Sequence, residues 1–171
     1  MMKTKLPSLF AEDAAVDTME KDAKFSDCGK YRFWLSRIWE NRLPKLMLIG
    51  LNPSTANAET DDPTIRSIIR IVGYNGFGGF YMTNLFPYIT PKPSELDRSD
   101  KMLDYNDHIL MRLRIGIPNI CFCWGTFDVL GRDKVIKELF PHASCLGMNK
   151  DGSPKHPLFL KTKTDLIPYI Y

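Results

Sequence analysis

Asn52, Asn84 and His156 are the side chains best placed to do chemistry in this chain, because each stands where an apolar run gives way to turn residues. Asn84 lies near the end of Phe80–Phe86, where an amide must find partners or cost stability. Its side chain offers one acceptor and two donors, enough to read the edge of a nucleobase at two points. A hydrogen bond to neighbouring loop backbone is the simpler alternative. Asn52 directly follows Leu46–Leu51 and could hold a water or a polar substrate group; an Asx turn ahead of Pro53 accounts for it equally well. Of the three histidines, His108 falls in a helical stretch and His142 after Phe140-Pro141, which leaves His156 on a loop near the chain's end. Ser54 and Thr55 suit either a turn cap or phosphate contact, Trp124 either core packing or stacking on a base, and Asp61 or Asp62 either a helix start or a general base.

The elements that must position these groups follow from the hydrophobic pattern. Leu46–Leu51 is an apolar run of strand length ending at the turn Asn52-Pro53, as a buried parallel strand does when it delivers polar groups to the carboxyl edge of a sheet. Asp62-Pro63 is a helix start, and Ile65, Ile68, Ile69 and Val72 fall on one face of the helix that follows. Phe80–Phe86 reads as a second strand, 104–114 as a helix with Ile109, Leu110 and Leu113 inward, and 119–124 as a third strand. A helix is expected over 127–140, with Gly131 its weak spot, and a short fourth strand over 143–147. The aromatic-dense stretch 31–39 leans towards strand, whereas residues 1–30, with Glu12, Asp13, Asp17, Glu20 and Asp22 among small residues, resemble a surface appendage that could hold a short helix. Strands alternating with helices predict an α/β fold: a three-layer α/β/α sandwich on a central, mainly parallel four-stranded sheet.

Composition narrows the classes further. The chain of 171 residues, 44% hydrophobic and 25% charged, suits a single domain over 31–171 with a real core. A net charge of +3 permits nucleic-acid binding without arguing for it. No run approaches the about 18 apolar residues a membrane helix needs. Cys28, Cys121, Cys123 and Cys145 form no CxxC pair, so a cytoplasmic protein with no metal and no cofactor is expected, and Cys121 and Cys123, two apart in an apolar run, read as buried reduced thiols. The chain is expected to be a monomer.

Taken together, Gly50-Leu51-Asn52-Pro53, Thr83-Asn84-Leu85, Cys123-Trp124-Gly125 and His156-Pro157 resemble, in order, four motifs of the uracil-DNA glycosylase superfamily, each at the end of an expected strand. The Asn in the first is the form found in its mismatch-specific and thymine glycosylase branches. More closely, Tyr31-Arg32-Phe33, Asn52–Ala56, Asp61–Arg66, Asn84–Phe86, Trp124-Gly125 and His156–Leu158 resemble a family of bacterial and phage proteins of unknown function marked by an NPSTA signature.

The first resemblance implies an enzyme that hydrolyses the glycosidic bond of a pyrimidine base, unmodified or modified, in DNA or a nucleotide. It implies that His156 donates to the departing base, that Asn52 holds the attacking water and that Asn84 reads the base. Gly50, Leu51, Pro53, Ser54, Thr55, Trp124, Gly125 and Pro157 would line the substrate site, with Lys155, Leu158, Phe159 and Lys161 towards nucleic acid. Two departures stand out: the serines that usually follow His-Pro are replaced by Leu158-Phe159-Leu160, and Ser54-Thr55 is not the usual continuation of the first motif. Both point towards a different base, or a free nucleotide in place of duplex DNA. Because Asn52 is too weak a base to deprotonate water, a non-catalytic nucleotide- or nucleic-acid-binding module with a glycosylase-like fold is the competing expectation.

Overall fold

The computed structural model describes residues 19–170. Seven strands form one mixed sheet: β1 (Glu20–Phe25), β2 (Arg32–Ile38), β3 (Leu46–Gly50), β4 (Gly79–Asn84), β5 (Asn119–Phe122), β6 (Ser144–Cys145) and β7 (Ile167–Pro168), in the spatial order β1-β2-β4-β3-β5-β6-β7. The α/β class holds, but the sheet is larger than the expected four strands. β4, β3, β5 and β6 run parallel at its centre, while β1, β2 and β7 are antiparallel additions.

Three helices, α1 (Pro63–Tyr74), α2 (Leu103–Gly116) and α3 (Arg132–Leu139), connect the strands among the described residues. Alternation along each strand divides the core into two layers. Leu46, Leu48, Phe80, Met82, Cys121 and Cys123 pack with Ile65, Ile68, Ile71 and Val72 of α1. Met47, Ile49, Phe122 and Trp124 pack instead with Leu110 of α2, Ile136 and Phe140 of α3, and Tyr169.

Local chemistry sets the helix ends. Asp62 caps α1, its Oδ1 accepting the Ile65 amide at 2.8 Å, with Pro63 at the first helical position as the sequence indicates. The helix expected over 127–140 begins only at Arg132, because Leu130 (φ 50°) and Gly131 (φ 76°) both adopt the left-handed conformation and break it. The expectation for 1–30 also changes. Glu20 and Asp22 lie on β1, which pairs with β2 along its length, so this part is sheet and not helix; Glu12, Asp13 and Asp17 lie outside the described residues.

The loop that joins β3 to α1 is held from below by two arginines of β2. Arg37 is fully buried; its Nε donates to Asp61 Oδ1 at 2.7 Å and its Nη2 to the Asn57 carbonyl at 2.9 Å. Arg32, 3% exposed, donates through Nη1 to the Ala56 carbonyl. A buried guanidinium that loses its carboxylate is strongly destabilising. Asp61→Ala is therefore expected to cost about 3 kcal/mol, read as a lowered urea midpoint with an unchanged slope.

Candidate functional site

Register places the site. Gly50 is opposite Asn84 at the carboxyl ends of the parallel pair β3–β4, and both follow the alternation that faces α1. A Cβ at position 50 would fall 2.5 Å from Met82 Cε and 3.0 Å from Asn84 Oδ1, so a side chain here would displace the Met82 methyl and crowd the Asn84 carboxamide. The carboxamide of Asn84 thus fills the space that glycine leaves. It is 1% exposed, and neither its Nδ2 nor its Oδ1 has a hydrogen-bond partner among the described residues. Sealing such a group away from water costs about 1–3 kcal/mol for each unmatched atom.

The end of β4 is fixed from the other face of the sheet. Asn106 of α2 donates through Nδ2 to the Asn84 carbonyl at 2.9 Å. Arg132, at the start of α3, donates to the Leu85 carbonyl at 3.2 Å and pairs with Asp107, its Nη1 2.9 Å from Oδ2. With its main chain clamped in this way, the Asn84 side chain has a fixed origin.

His156 is brought to the same side of the sheet. Ser67 Oγ of α1 donates to the Pro157 carbonyl at 2.9 Å, which docks the His-Pro turn against the helix. Gly125, at φ 79°, lies beneath His156: a Cβ on it would approach His156 Cβ to 3.3 Å. The Leu158 amide donates to His156 Nδ1 at 3.3 Å, so in the neutral ring the proton sits on Nε2, which becomes a donor. Burial lowers the His156 pKa below the ordinary imidazole value, and the charge of Asp62 opposes that shift in part.

The remaining expected residues divide. Asn52 is half-buried and spends Nδ2 on the Pro53 and Thr90 carbonyls, at 2.9 and 2.7 Å, closing its own loop on the segment after β4; its Oδ1 is the atom left for a water. Leu51 and Pro53 are buried supports of that loop, while Ser54 and Thr55 are exposed at its tip. Trp124 is 2% exposed, its ring packed between Phe122 and Tyr169 on the face away from α1, so at this strand end only Gly125 meets His156. Lys155, Leu158, Phe159 and Lys161 are exposed around the His-Pro turn, Phe159 by 86%. Two surface clefts lie elsewhere, one of about 480 Å³ beside Trp124, Phe127 and Tyr169 and one of about 440 Å³ beside Arg98, Lys101 and Gly131, and neither is lined by Asn52, Asn84 or His156.

The sequence assigned no role to Arg32, which it named only within the motif Tyr31-Arg32-Phe33, and did not single out Arg37, Asn106 or Arg132. Arg32 and Arg37 had a signal, charge inside the aromatic-dense run 31–39; Asn106 and Arg132 sit among polar helical residues and had none. Cys121, Cys123 and Cys145 are buried, and burial pushes the Cys123 thiol up to about 12, far from a thiolate's range. No group of three or more His, Cys, Asp or Glu side chains among the described residues could hold a metal, and no helix among them is long and apolar enough to cross a membrane.

Residues 32–158, well over half the chain, match the model of a family described as "Protein of unknown function (DUF1643)". No curated protein and no solved structure matches.

The environment of His156 makes its titration a direct check. Its imidazole is expected to titrate below 6.5, and in Asp62→Asn lower still, because Asp62 is the charge that favours the protonated ring. Since the folded chain holds this proton less tightly than the unfolded one, the group's contribution to stability is lost as pH falls below 6.5. Imidazole carbon-bound proton shifts followed against pH, assigned with His156→Gln, read both.

Proposed function

The chain belongs to the DUF1643 family, and on that premise we propose that it recognises a nucleobase at the carboxyl edge of its sheet and hydrolyses the bond joining that base to its sugar. The observation that carries this reading is the buried carboxamide of Asn84 with Nδ2 and Oδ1 both unmatched. A donor and an acceptor fixed side by side complement the edge of a pyrimidine, and a ligand making both bonds would recover the free energy the empty site gives up. The parallel arrangement of β4, β3, β5 and β6, covered by helices on both faces, supports a sandwich of the uracil-DNA glycosylase kind around such a site.

Cleaving the glycosidic bond leaves negative charge on the departing base and positive charge on the sugar, so the reaction needs a donor at the base and a water at the sugar. A neutral His156, with its proton held on Nε2 by the Leu158 amide, is suited to the first task. Asn52 Oδ1 can orient the water but cannot take its proton. Of the two candidate carboxylates, Asp61 is committed to Arg37, which leaves Asp62, within electrostatic reach of His156, as the base. Lys155, Leu158, Phe159 and Lys161, exposed around the His-Pro turn, are the side chains that would meet a nucleic-acid strand.

A second reading, a binding module without turnover, is favoured by the use of Asn52 Nδ2 in loop closure, which ties that side chain to a structural task.

Oligonucleotides carrying uracil, mismatched and modified pyrimidines, together with the free nucleotides, separate the two readings. Glycosylase action releases free base, detected chromatographically, with a rate that falls about 10²–10³-fold in His156→Ala and also falls in Asn84→Ala. Calorimetric binding that Asn84→Ala weakens, without released base, establishes the binding module. Neither binding nor release across the panel rejects both.

A further inference from the structure

Arg32 is a buried cation with no carboxylate hydrogen-bonded to it among the described residues. Its side chain is 3% exposed; Nη1 meets a carbonyl, that of Ala56, and Nε has no hydrogen-bond partner among the described residues. Arg37, five residues along the same strand, shows the contrast, since it holds Asp61 directly. A charge taken out of water is ordinarily paired, and Arg is the side chain whose planar fork suits phosphate. The nearest carboxylate influence on Arg32 is Asp62, whose Oδ1 is already taken by the Ile65 amide.

Position gives this cation a role. β2 pairs antiparallel with β4, with Leu35 opposite Met82, and the Arg32 amide donates to the Pro87 carbonyl at 2.9 Å. Arg32 therefore lies opposite Pro87, in the segment that continues β4 three residues past Asn84. Its Nη1 holds the loop whose tip, Ser54-Thr55, is exposed and offers two hydroxyls and two backbone N–H groups that make no hydrogen bond among the described residues. Of the three described side chains with buried unmatched polar atoms, Asn106 lies on α2 beneath the other face of the sheet, while the Asn84 amide and the Arg32 guanidinium lie towards the β3–α1 loop.

We propose that Arg32 anchors a phosphate of the ligand, so that this edge of the sheet takes a nucleoside phosphate in preference to a bare base or nucleoside. The identity of the base-bearing half rests on the reading of Asn84 above; the phosphate half rests on Arg32 and the Ser54-Thr55 tip. The phosphate is either the monoester of a free nucleotide or a diester of a nucleic-acid strand, and both present the same oxygens to a guanidinium.

Calorimetric titration of the full chain with pyrimidine nucleosides, their 5′-monophosphates, inorganic phosphate and short single-stranded oligonucleotides tests this. A phosphate-bearing probe is expected to bind at least about tenfold tighter than the matching nucleoside. Arg32→Gln should abolish that ratio, and Arg32→Lys, which keeps the charge but loses the fork, should retain part of it. Preference for the monophosphate marks a free nucleotide as the source, and preference confined to oligonucleotides marks a strand; each supports the anchor. Asn84→Ala should weaken nucleoside and nucleotide alike and leave the ratio intact. If the ratio persists and depends on Arg32 while Asn84→Ala changes nothing, the base reading fails and the phosphate anchor stands. Equal affinity for nucleoside and every phosphate-bearing probe on the unaltered protein, or no binding of any phosphate-bearing probe, overturns the proposal without recourse to a variant.

Discussion

Gly50 stands directly opposite Asn84 where β3 and β4 end, and the absence of a side chain at that glycine is what allows a carboxamide to lie sealed at the edge of the sheet. The pairing is central because parallel strands present their carboxyl ends together, so a small residue on one strand opens room for a polar one on the next. Everything around the pair reinforces it. Asn106 and Arg132 grip the main chain of Asn84 and Leu85 from the α2–α3 face, while Met82 Cε closes over Gly50 from below. The consequence is an amide on a fixed main chain, with neither Nδ2 nor Oδ1 matched among the described residues.

The electrostatics of the α1 face follow from how few carboxylates reach it. Asp61 answers Arg37, and Asp62 divides its influence among the α1 amide it caps, Arg32 and His156. Burial pushes the Arg32 pKa down to about 10, still well above neutrality, so the guanidinium stays charged. Burial acts on His156 in the opposite functional sense, since it keeps the ring neutral and its Nε2 proton available for donation. A retained cation, a neutral donor and an unmatched amide at one edge of the sheet are the groups on which the proposed recognition of a nucleoside phosphate rests.

Much of this edge was legible because strand chemistry is local. The apolar runs ending at Asn52, Asn84 and Trp124 announced buried parallel strands, and Asp62-Pro63 announced the start of α1; these elements stand where the pattern puts them. The antiparallel strands were harder to read. β1 is almost wholly exposed and charged, so its sequence resembles a surface segment, and only its pairing with β2 makes it a strand. The break before α3 depended on Leu130, a residue that seldom takes a positive φ and gives no warning in sequence. Trp124 shows the limit in the site itself: a strand-end tryptophan fits stacking or core equally by type, and its packing on Phe122 and Tyr169 is a tertiary fact. The part played by Arg32 was hidden for a similar reason, since its burial comes from a loop that begins some twenty residues further on.

The Asn84 side-chain amide gives the most direct measurement. In uniformly ¹⁵N-labelled protein, with its NH₂ pair assigned by its loss in Asn84→Asp, the free chain should show amide protons near the upfield, unbonded range. Saturation with the tightest-binding pyrimidine nucleotide should move one of the pair downfield and slow its exchange with solvent, as a new hydrogen bond to the base forms. An Asn84 NH₂ pair that already shows hydrogen-bonded shifts in the free protein, or that stays unmoved while the nucleotide binds, would contradict the claim that this amide is held in reserve for a ligand.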